Sequence, residues 1–64
     1  MGALFRFIAW VVANISRWGK RIASQIGRIV SWINANWRRV LEWINAGISY
    51  GTILEWILRT LGLS

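Results

Sequence analysis

Apolar residues recur at steps of three and four along nearly all of this 64-residue chain, and no proline interrupts them. Alternation would suit a strand, whereas this spacing gathers the apolar side chains on one face of a helix. The chain is therefore predicted to be all-α. A first helix is expected over about residues 3–17, where Leu4, Ile8, Val11, Ile15 and Trp18 form a stripe flanked by Phe7 and Val12. Gly19 ends it. A second is expected over about residues 20–35, with Ile22, Ile26, Ile29, Val30 and Ile33 inward. Gly27 sits within it at a propensity loss of up to about 1 kcal/mol against alanine, and reads as a point of close helix approach.

Asn34-Ala35-Asn36 marks a break, with Asn36 as N-cap of a third helix over about residues 37–46. A single helix running through the two Asn residues is the alternative. Trp37, Val40, Leu41 and Ile44 line the inner side of the third helix. Residues 47–51 form a loop. A fourth helix over about residues 52–61, capped by Thr52 or Ser49, presents Ile53, Leu54, Ile57, Leu58 and Leu61 and stops at Gly62. The expected architecture is one domain, a compact four-helix bundle.

What holds so short a chain together is narrowly bounded. Single cores become comfortably stable only at roughly 70–80 residues. Neither Cys nor His occurs, so disulfides and the usual zinc ligands are excluded and no cofactor is expected. Stability must come from helix packing, from self-association or from a membrane. A spanning helix needs about 20 apolar residues. The longest uncharged runs, residues 7–16 and 43–54, fall short of that. The N-terminal stretch does not read as a signal peptide, and Arg6 stands where a myristoylation motif wants Ser or Thr.

Eight Lys and Arg against two Glu give a formal net charge of +6, which favours polyanionic partners. At 56% hydrophobic with six Trp, the chain suits an anionic lipid surface better than nucleic acid. A helical wheel adds detail. The stripe residues of the first helix centre about 130° from Trp10, whereas Arg6 and Arg17 lie within about 40° of it. The same reckoning places Trp32 beside Arg21 and Gln25, Trp43 beside Arg39, and Trp56 between Thr52 and Arg59. Trp18 and Trp37 fall toward the apolar stripes. Four Trp are thus expected to be largely exposed on the cationic face. Indole favours the headgroup level of a bilayer, and guanidinium binds lipid phosphate in pairs of hydrogen bonds. The candidate membrane-binding residues are Arg6, Trp10, Arg17, Lys20, Arg21, Arg28, Trp32, Arg38, Arg39, Trp43, Trp56 and Arg59.

Three segments carry a family likeness: Trp18-Gly19-Lys20-Arg21, then Val40-Leu41-Glu42-Trp43-Ile44-Asn45-Ala46-Gly47, then Leu54-Glu55-Trp56. With an apolar first helix and a Leu-Gly-Leu tail, the chain resembles the leaderless bacteriocins of the aureocin and lacticin Q type. It departs from them in length, around residues 27–36 and 47–51, and in favouring Arg over Lys. The resemblance implies a saposin-like bundle of about four helices that is exported without a leader. It also implies a secreted protein that permeabilises the membranes of Gram-positive bacteria without a receptor. No small-molecule substrate or nucleic acid is then expected as partner, and the protein is expected to be a monomer in solution.

Other classes fit less well. Catalysis lacks its usual groups, since His, Cys and Asp are absent and Glu42 and Glu55 each sit one helical turn from an Arg. A nucleic-acid binder would concentrate its cations on one recognition element, whereas these are spread along the chain. A membrane toxin acting inside its own cell remains a third alternative.

Overall fold

A computed structural model describes residues 2–63. Every regular element among them is helical, as expected: α1 Gly2–Asn14, α2 Lys20–Ala23, α3 Ile26–Ala35, α4 Trp37–Asn45 and α5 Tyr50–Thr60. A tight 3-10 turn, Ile15–Trp18, carries the first helix on to Gly19.

The expected second helix is divided in two. The Ser24 hydroxyl donates to the Arg21 carbonyl at 2.7 Å, and the Gln25 N–H bonds three residues back to Ile22 at 2.9 Å. Both bonds tighten the chain locally and interrupt the regular ladder. Gly27, expected at a close approach of helices, faces open space, with no atom within 4 Å of where a Cβ would stand. Gly27→Ala is accordingly expected to stabilise the protein by about 0.5–1 kcal/mol. A thermal melt should rise by roughly 2–8 °C. A lower melting temperature would reveal a contact that the present packing lacks.

The break at Asn36 is present, but its side chain does not cap α4. The Asn36 amide instead donates backward to the Trp32 carbonyl at 3.0 Å. The Asn14 amide does the same to Trp10 at 2.8 Å, and the Thr60 hydroxyl to Trp56 at 2.9 Å. Three helix ends therefore close alike, each with a tryptophan carbonyl taken by a polar side chain one turn on. α4 ends differently. The Ile48 N–H reaches the Trp43 carbonyl at 3.2 Å, while Gly47, at φ 84°, bonds to Ile44. α5 begins two residues earlier than expected. Ser49 is its cap and accepts from the Thr52 N–H at 3.3 Å, which draws Tyr50 and Gly51 into the first turn.

Every helix sends apolar side chains to one core. α1 supplies Phe7 and Val11, the 3-10 turn Ile15, α2 Ile22, α3 Ile29 and Ile33, and α4 Val40. α5 supplies Ile53, Leu54, Ile57 and Leu58, the largest share. No polar or charged side chain among the described residues is buried. α1, α3, α4 and α5 each touch the other three, and α2 packs on the 3-10 turn. Parallel bundles keep diagonal helices apart, so contact between all pairs means that short helices cross around a common centre. The Cα radius of gyration, 10.7 Å, equals the value of about 10.7 Å expected for a compact chain of this length. The accessible surface of 4158 Å² likewise matches the roughly 4200 Å² of a folded monomer of this mass. The core closes within a single chain.

Candidate membrane-binding surface

Charged side chains stay in water unless paired, and all eight cations lie on the surface. Arg6 is on α1, Arg17 on the 3-10 turn, Lys20 and Arg21 on α2, and Arg28 on α3. Arg38 and Arg39 open α4, and Arg59 is near the end of α5. Arg17, Lys20 and Arg21 bracket Gly19 and form the densest cationic stretch.

The tryptophans depart from expectation. Trp10, Trp32, Trp43 and Trp56 are partly buried, not largely exposed; the first three pack against the core, and Trp56 packs on Trp43. The inner face of α1 explains the first of these. Its buried residues are Phe7 and Val11, which centre about 80° from Trp10, some 50° nearer than the aliphatic stripe alone suggests. Phe7, read as a flank, is the middle of that face. Val12, also read as a flank, is 55% exposed. Trp18 packs against the core as expected. Trp37, expected inward, is 39% exposed, and the Arg38 guanidinium lies 5.2 Å from the centre of its ring. Beside this pair an open depression is lined by Ala35, Asn36, Trp37, Arg38, Arg39 and Glu42.

The buried and partly buried rings form two groups. One gathers Phe7, Trp10, Trp18 and Tyr50. Trp10 meets Trp18 edge-on at 6.0 Å and Tyr50 at 5.7 Å, and Tyr50 meets Phe7 at 5.2 Å. The other is a ladder of three indoles from three helices. Trp32 of α3 stacks on Trp43 of α4 at 6.3 Å with the planes 15° apart, and Trp43 meets Trp56 of α5 edge-on at 5.1 Å. Each such contact contributes about 0.5–1.5 kcal/mol beyond simple burial.

Each rung has an exposed arginine one turn away on its own helix: Arg28 four residues before Trp32, Arg39 four before Trp43, and Arg59 three after Trp56. Arg21, expected beside Trp32, lies on α2 beyond the break at Ser24-Gln25, and Arg28 takes its place. The structure thus brings together Trp32, Trp43 and Trp56, with Arg28, Arg39 and Arg59 each one turn away along the same helices. It leaves Arg6 and Trp10 on α1, and Arg17, Lys20 and Arg21 around Gly19. Tyr50, placed in a loop by its neighbouring glycines, belongs to the first aromatic group. Phe5 is the most exposed large apolar residue, at 73%. Its signal in the sequence is that α1 carries apolar residues on every side.

Such a surface offers amphipathic indole edges with guanidinium beside them, a chemistry suited to a headgroup layer. Among the described residues, no group of three His, Cys, Asp or Glu is placed to hold a metal. No helix among the described residues is long and apolar enough to cross a membrane. Comparison with known proteins finds no family, no curated protein and no solved structure that matches the chain.

Proposed function

We propose that this protein is an antibacterial agent that binds anionic membranes and permeabilises them without a protein receptor. The observation that carries the reading is the ladder of Trp32, Trp43 and Trp56 with an exposed Arg one turn from each indole. The resemblance to the aureocin and lacticin Q type adds the setting: a secreted protein with a saposin-like bundle, acting on Gram-positive bacteria. The partner in this reading is anionic lipid, and the protein is a non-catalytic monomer before it binds.

Magnitudes support it. Each cation near an anionic surface contributes about 1 kcal/mol, and a Kd of 1 μM corresponds to about 8 kcal/mol. Several Arg together with several indole edges reach that range with no receptor. Docking through Arg and Trp is followed by partial opening, with the apolar helix faces turned into the bilayer.

Dye release tests the reading directly. Micromolar protein is expected to empty vesicles rich in phosphatidylglycerol and to leave pure phosphatidylcholine vesicles largely intact. If the anionic vesicles keep their dye at that concentration, permeabilisation is refuted.

A further inference from the structure

α1 breaks the rule that the other core helices follow. An amphipathic helix turns a polar face to water, and a helix apolar all round is normally buried. α1 does neither. Its inner side buries Phe7 and Val11, yet Phe5, Ala9, Val12 and Ala13 stand exposed on its outer side. Phe5 and Val12 are seven residues apart, so they share one line along the helix with Ala9 between them. Arg6 is the only charged residue from Gly2 to Asn14. The cluster of Arg17, Lys20 and Arg21 follows directly.

Something must cover such a face, and charge decides what. A second copy would set these cations against their own kind. No acidic residue occurs before Glu42, so α1, the 3-10 turn and α2 offer nothing to neutralise them. Two chains of net charge +6 would also repel one another. An anionic bilayer supplies both needs, with hydrocarbon for the apolar line and phosphate for the flanking cations. At 13 residues α1 is about 20 Å long, against a hydrocarbon core of about 30 Å. It is too short to span and long enough to lie in the interface.

We infer that the outer face of α1, centred on Phe5 and Val12, is the element that enters an anionic bilayer, lying flat in its interface. This rests on the membrane reading above.

The chain has no cysteine, so single environment-sensitive labels can be placed at will. An NBD fluorophore on Val12→Cys is compared with one on Asn45→Cys, an exposed position of α4. The vesicles contain equal parts of phosphatidylglycerol and phosphatidylcholine, and binding is measured separately by co-sedimentation. The label at position 12 is expected to shift to the blue and brighten several-fold, while the label at 45 stays near its value in water. Binding without a change at position 12 overturns the docking face and leaves the membrane reading standing. Absence of binding overturns both. A label at 12 that is already shielded in buffer, with a dimer in sedimentation equilibrium, assigns the face to a second copy and overturns the inference. An unlabelled Phe5→Ser/Val12→Ser variant with unchanged helicity is expected to bind roughly tenfold or more weakly. Equal binding by that variant also overturns the inference.

Discussion

Phe7→Ala is expected to remove about 3–5 kcal/mol of stability. The whole stability of a domain this size is roughly 3–10 kcal/mol, so much of the population should be unfolded at physiological temperature. Phe7 is fully buried at the middle of the inner face of α1 and presents its ring edge-on to Tyr50 at 5.2 Å. Truncation removes the transfer free energy of the ring, leaves a cavity where α1 meets α5, and takes from Tyr50 one of its two aromatic partners. No disulfide holds the chain while the site collapses. A urea titration followed by circular dichroism gives the answer, with Phe7→Leu as a milder control that should lose about 1–2 kcal/mol. A loss below about 1 kcal/mol for alanine would mean that the ring does not centre the core.

The second large effect concerns binding. Arg28→Gln, Arg39→Gln and Arg59→Gln together should weaken association with phosphatidylglycerol vesicles by roughly 100-fold, at about 1 kcal/mol for each cation lost. All three side chains are exposed, so folding stability should move by less than about 0.5 kcal/mol for each. Added salt should shrink the difference between the triple variant and the parent, since exposed charges are screened. Titration of vesicles into protein, read by tryptophan fluorescence, measures it. If affinity for pure phosphatidylcholine falls by the same factor, the arginines act through something other than lipid charge.

Helical periodicity made most of the elements legible, and the punctuation was legible where glycine alone suits the backbone. Gly47 and Gly62 adopt φ 84° and 72° and end α4 and α5. Ile29, Ile33, Val40 and four of the five stripe residues of α5 are buried as their spacing requires. The break at Ser24-Gln25 was hidden because it turns on a local choice. A serine hydroxyl there bonds to a carbonyl three residues back, and nothing in the apolar pattern marks that choice. The cations were legible for a simpler reason, since none of them can leave water unpaired.

The tryptophans were not legible, and the cause is tertiary. A wheel centred on aliphatic residues assumes a narrow buried arc. Where α1, α3, α4 and α5 all touch one another, each helix is covered from three directions, and the buried arc widens until it takes in part of each indole. Trp37 escapes because it is the first residue of α4, beside the helix break at Asn36, where no neighbour covers it as fully.

A core with no buried polar side chain among the described residues has a consequence for the solvent in which the fold exists. In water, eleven apolar side chains are held together by their exclusion from the surroundings. Hydrocarbon treats those same side chains as its own kind, so that drive vanishes at a bilayer. The helices themselves do not depend on it, because their backbone bonds are internal. In the proposed membrane reading, one set of helices would serve two tertiary arrangements, closed in water and splayed in lipid, with the choice set by the medium rather than by the chain.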